Sequence, residues 1–77
     1  MKTIKISERV KLVFEDDMFT PVMIYAKDSG VETSATWACA LGEGEVDGYP
    51  LTSDEVRSLL KHEAAADAWY DKTRVIQ

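Results

Sequence analysis

The chain has few of the residues that cross-link small proteins or carry their chemistry. It contains one cysteine, one histidine and two prolines among 77 residues. A single cysteine excludes a disulfide within the chain and is typical of a reducing compartment, so we expect a cytoplasmic protein. One histidine and one cysteine, far apart in the sequence, make neither a usual metal site nor a nucleophile with its base. We therefore predict no enzyme activity, no metal and no cofactor.

Long hydrophobic runs and positive charge are also scarce. No stretch approaches the roughly 20 apolar residues that a membrane span needs, which predicts neither a signal peptide nor a membrane anchor. The 14 acidic residues outnumber the 9 basic ones, for a net charge of −5. This balance disfavours direct binding to nucleic-acid phosphates or anionic membranes, and a charged partner is expected to be basic. The simpler alternative is that the acidity only keeps a small protein in solution.

The N-terminal half alternates between apolar and polar residues, the pattern of half-buried strands. It predicts strands at 4–6, 10–14, 22–26 and 31–40, with a bulge or turn at 7–9 and a reverse turn at 27–30. Trp37 and Cys39 fall on one face of the last strand and are expected in the core. The fold class is therefore α+β, a small antiparallel sheet of three to four strands followed by one C-terminal α-helix packed on one face. We expect a single domain, 1–77, with a strand-rich part (1–41), an acidic loop (42–50) and a helix (52–74).

The start of the helix has the strongest local signal in the chain. Thr52 as N-cap and Glu55 three residues later form the pattern of a capping box. Leu51 and Val56 occupy the positions of a hydrophobic staple, and Pro50 keeps the helix from starting earlier.

The apolar stripe of this helix does not continue along its length. Val56, Leu59 and Leu60 share one face, but the same face further on carries acidic residues at 63, 67 and 71. Either the helix breaks near 62–63, or it continues straight and projects a second apolar patch around Trp69 that another surface must cover. The alanine-rich run 64–68 favours continuation.

A straight helix predicts a protein interface on this second patch, although packing of Trp69 on the sheet is the competing interpretation. Aromatic residues beside small ones are typical of interface centres. The predicted contact residues are Ala65, Ala66, Trp69, Tyr70 and Ile76, and the partner is another protein or a second copy in a homodimer.

The function expected from these features is that of a small acidic protein-binding domain without enzyme activity. Compact domains of this size often belong to bacteriophages or other mobile elements and act as inhibitors or adaptors, which is an association only. The alternative is a nucleic-acid mimic whose carboxylates block a basic cleft. A third candidate is a cation site at Glu43, Glu45, Asp47 and Asp54, which have the spacing of an EF-hand loop but the wrong residue types at its ends. We expect no calcium binding tighter than about millimolar there.

Overall fold

The structure is a computed structural model that describes residues 2–74. Four strands form an antiparallel sheet in the order β1-β2-β3-β4. A two-stranded sheet and three helices complete the described part of the chain. The elements are β1 (Lys2–Lys5), β2 (Val10–Phe14), β3 (Val22–Asp28), β4 (Val31–Thr36), α1 (Trp37–Glu43), β5 (Glu45–Val46), β6 (Tyr49–Pro50), α2 (Ser53–Leu60) and α3 (Glu63–Arg74).

The α+β class and the four-stranded antiparallel sheet are confirmed, and the predicted turns separate its strands. Lys5 lies opposite Lys11, so residues 6–9 form the turn between β1 and β2. Asp28 lies opposite Val31, and the two residues between them both have positive φ, 53° at Ser29 and 83° at Gly30. Two positive φ values match the right-handed twist of a hairpin, which explains the glycine at this position.

The prediction of a single helix is wrong, and so is the strand that was expected to reach residue 40. β4 ends at Thr36, whose side chain accepts a hydrogen bond from the Cys39 amide and caps α1. Trp37 is buried as predicted, but it lies on this helix, and Cys39 is exposed. Trp37, Ala40 and Leu41 have the i, i+3, i+4 spacing of a helix face, a signal that the alternating pattern obscured.

Of the two alternatives for the C-terminal helix, the break near 62–63 is the one that the structure has, and the favoured continuous helix over 52–74 is wrong. α2 ends at Leu60, and α3 starts at Glu63. In the turn between them, the His62 amide donates a hydrogen bond to the Leu59 carbonyl at 2.9 Å. Ala66 of α3 is fully buried in the core. Glu63, Asp67 and Asp71 remain exposed. The buried side of α3 therefore carries Ala66, Trp69 and Tyr70, and its three carboxylates lie outside the core.

One core joins the sheet to all three described helices. Leu12 and Ile24 supply its centre from the sheet and are completely buried. The other buried members are Val10, Phe14, Val22, Ala26, Trp37, Ala40, Val46, Leu59 and Ala66. Among residues 2–74, no helix is long and apolar enough to cross a membrane.

Candidate binding surfaces

The loop between β2 and β3 exposes two large hydrophobic side chains at its tip. Phe19 is 86% exposed and Met18 is 57% exposed. Asp17 fixes the backbone that carries them, because its Oδ1 accepts hydrogen bonds from the amides of Phe19 (2.8 Å) and Thr20 (3.4 Å). These bonds lower the pKa of Asp17 and keep it charged. We call Met18 and Phe19 the knob.

The base of this loop is anchored to α3. The Trp69 indole nitrogen donates a hydrogen bond to the Glu15 carbonyl at 2.8 Å. Its ring lies 5.5 Å from the Phe14 ring, and Lys72 Nζ lies 4.8 Å from its centre on a cation–π contact. Across the loop, the Glu15 amide donates to the Pro21 carbonyl at 2.7 Å. These contacts hold the loop that carries the knob in one conformation, so less conformational entropy is lost when the knob binds a partner.

The residues predicted as an interface on the helix lie in different environments. Ala66 is fully buried, Trp69 and Tyr70 are half-buried against the core, and Ala65 is exposed. Ile76 lies outside the described residues. The interface itself stays a prediction, but its geometric premise, a straight helix, is wrong. No local pattern in the sequence decides whether Met18 and Phe19 fold back on the core or are exposed.

A second apolar surface lies on α2. Leu51, Val56 and Leu60 line an open groove of about 400 Å³, together with Ser53 and Arg57. Leu60 is 47% exposed, whereas its neighbour Leu59 is fully buried. The core therefore covers Leu59 but leaves part of the apolar side of α2, including Leu60, in contact with solvent. We call this surface the α2 groove.

The open face of the sheet forms a basic concavity of about 370 Å³ near the β1–β2 turn. Lys5 and Lys11 are direct cross-strand neighbours, and Lys27 also lines it. Lys11 Nζ lies 3.6 Å from Glu32 and 5.4 Å from the centre of the Tyr25 ring. The Tyr25 hydroxyl donates to Glu15 at 2.8 Å, and this bond, aided by burial, raises the pKa of Tyr25.

The most strongly perturbed carboxylate in the described residues is Glu55. It is 5% exposed and accepts hydrogen bonds from Ser7 Oγ (2.6 Å), Arg9 Nη2 (2.9 Å) and Nε (3.2 Å), and the Thr52 amide (2.8 Å). Burial alone would raise its pKa, but these hydrogen bonds and the charge of Arg9 lower the pKa of Glu55 to about 2. A carboxylate with this many bonds is held as an ion and has a structural role.

The acidic residues suggested as a cation site do not share one loop. Glu43 ends α1, Glu45 lies in β5, and Asp47 is in the turn before β6 with φ of 49°. Asp54 is in the first turn of α2 and bonds Arg57 at 3.1 Å. The part of the chain that the structure describes contains no group of three or more histidine, cysteine or acidic side chains placed to hold a metal ion.

Comparisons of the chain with protein-family models, curated proteins and solved structures found no match.

Proposed function

We propose that this chain is a small protein-binding domain without enzyme activity, and that its contact surface is centred on the knob at the end of the sheet next to Trp69 and Tyr70. The observation that carries the proposal is the exposure of Phe19 on a loop whose backbone is fixed by Asp17. Aromatic side chains that enter a partner's pocket supply much of the binding energy at protein interfaces. Such a surface is sufficient for an inhibitor or an adaptor.

The chemistry around the knob indicates what kind of pocket would receive it. Asp16 and Asp17 immediately precede Met18 and are exposed. A complementary pocket is apolar at its centre and carries basic groups at its rim, because opposite charges at the rim increase association rate and specificity.

Site-specific photo-cross-linking tests this proposal. A photoreactive residue at position 19 should form discrete adducts with a protein, competed by excess wild-type chain and not by Phe19→Ala. The matched control is the same residue at position 31, since Val31 is also an exposed hydrophobic, 53% exposed, on a different element. Equal labelling at both positions would show that the knob has no special affinity.

The alternative function, nucleic-acid mimicry, is supported by the acidic stripe of α3. Glu63, Asp67 and Asp71 are exposed, and successive carboxylates are about 6 Å apart along the helix axis. Salt distinguishes the two proposals. Binding through the stripe should weaken steeply as ionic strength rises, whereas binding through Phe19 should change little.

A further inference from the structure

The knob and the α2 groove contain three of the four large hydrophobic side chains that are exposed in the described residues. The large hydrophobic side chains exposed in the described residues are Met18, Phe19, Val31 and Leu60. Two of these form the knob, and Leu60 lines the groove. A protruding apolar surface and a concave one are therefore present on the same chain.

The two surfaces cannot meet within one molecule. Glu55 of α2 bonds Ser7 and Arg9, so α2 lies beside the β1–β2 turn at one end of the sheet. The knob follows β2 at the opposite end. Six residues of extended chain separate Arg9 from Glu15, which corresponds to about 20 Å. The molecule is elongated in keeping with this separation, with principal extents of 41 × 22 × 21 Å.

We propose that the knob of one copy inserts into the α2 groove of a second copy. This inference rests on the proposed function and names its partner. The groove is shallow and offers Leu51, Val56 and Leu60 as an apolar contact for the Phe19 ring.

Charge on the rims of the two surfaces is complementary. Asp17 is adjacent to the knob and is held charged. Arg57 lines the groove, and both partners of its ion pair with Asp54, at 3.1 Å, are highly exposed. An exposed pair of this kind is worth little, and a guanidinium has five N–H donors, so Arg57 can also bond a carboxylate from another molecule.

A contact between two different surfaces has a definite consequence for assembly. Each molecule retains one unused knob or groove after the first contact, so association continues into short chains or closes into a ring, the smallest of which is a dimer in which each knob occupies the other copy's groove. The contact surfaces differ from the helix face of the homodimer that a straight helix predicts. Because the contact is small, we expect weak association that is visible only as concentration rises.

Sedimentation velocity on the full chain, from low micromolar to millimolar concentration, tests the inference. The wild-type mass should increase with concentration above that of a monomer. Phe19→Ala and Leu60→Asp should each weaken association by about tenfold or more, as expected when a central contact is lost. Val31→Ala is the matched control and should behave as wild type.

Mixing the two variants gives the sharpest result. Phe19→Ala retains an intact groove and Leu60→Asp retains an intact knob, so an equimolar mixture should form dimers that do not grow further. An interface that pairs like surfaces, knob with knob or groove with groove, would not be restored by mixing. Leu60→Ser is a second groove variant, and circular dichroism checks that each variant is folded.

The inference is overturned if the wild type remains monomeric at millimolar concentration, if either variant associates like wild type, or if the mixture gives no dimer. These failures are distinct from failure of the proposed function. A monomeric chain that still cross-links a different protein through position 19 would retain the protein-binding proposal and refute self-association.

Discussion

At the scale of single residues, Glu55 makes the most connections of any described side chain. Glu55 accepts a hydrogen bond from the Thr52 amide and so completes the capping box of α2. It also bonds Ser7 and Arg9, which connects α2 to the β1–β2 turn. The local role is visible in the sequence spacing. The contacts with residues 46 to 48 positions earlier exist only in the folded chain.

We expect Glu55→Gln to lower the free energy of unfolding by about 2–3 kcal/mol, because Arg9 then loses its ionic partner in a partly buried site. Urea denaturation of the variant and wild type measures this difference. Glu8→Gln is the control, since Glu8 pairs with Lys5 at 3.6 Å on the surface and its loss should cost less than about 0.5 kcal/mol. Equal effects of the two substitutions would contradict the role given to Glu55.

The same residue predicts how stability depends on pH. The folded pKa of about 2 lies below the ordinary value of 4.5, so the contribution of Glu55 is complete above pH 4.5 and is lost as pH falls towards 2. The size of the shift corresponds to about 3 kcal/mol. The stability difference between wild type and Glu55→Gln should therefore narrow between pH 4.5 and pH 2. A difference that is constant over this range would contradict the low pKa.

At the scale of elements, the start of α2 follows from the sequence alone. The Thr52 side chain accepts from the Glu55 amide at 3.1 Å, which completes the predicted capping box. Thr52→Ala should lower the free energy of unfolding by about 1 kcal/mol, measured by thermal or urea denaturation. Ser53→Ala is the control, because Ser53 is exposed at the first helical position and is not part of the capping box. An unchanged midpoint for Thr52→Ala would show that the cap contributes nothing.

The position of α3 changes the effect on stability that we expect from substituting Trp69. A patch on a straight helix predicts that Trp69→Ala leaves the fold intact. The contacts with Phe14 and the Glu15 carbonyl instead predict a loss of about 2–4 kcal/mol on truncation. Trp69→Phe retains most of the ring packing and should lose about 1 kcal/mol, the value of its hydrogen bond. Urea denaturation measures the free energy of unfolding of both variants. If Trp69→Ala were as stable as the wild type, the interpretation of Trp69 as an interface residue would be restored.

At the scale of the whole molecule, the shared core predicts that the sheet and helices unfold together. Leu59 of α2 and Ala66 of α3 are fully buried in the same cluster as Leu12 of the sheet. Tryptophan fluorescence and far-ultraviolet circular dichroism should therefore give coincident urea transitions. The unfolding of α3 can be followed separately in a Trp37→Phe variant, whose tryptophan fluorescence comes from Trp69 alone. Loss of the Trp69 signal at lower urea would mean that α3 unfolds independently.

The sequence by itself determined the features that depend on neighbouring residues. The alternation of apolar residues gave β1 to β3, Gly30 marked the β3–β4 turn, and Thr52 with Glu55 marked the start of α2. Each of these depends on local backbone geometry or on contacts within a few residues, so spacing is sufficient to predict it.

Where a segment's local pattern fits more than one structure, only the tertiary structure decided which one forms. Residues 37–40 fit both a strand and a helix, and the helix prevailed because it buries Trp37 and Ala40 against the sheet. Alanine-rich propensity favoured a straight helix, but α2 ends at Leu60 and α3 starts at Glu63, with Ala66 buried and Trp69 packed on the core. Helix propensity differs by only tenths of a kcal/mol per residue, whereas burial of an aromatic side chain is worth several times more. The exposure of Phe19 was likewise undetermined by sequence, because it depends on which element lies over the β2–β3 loop.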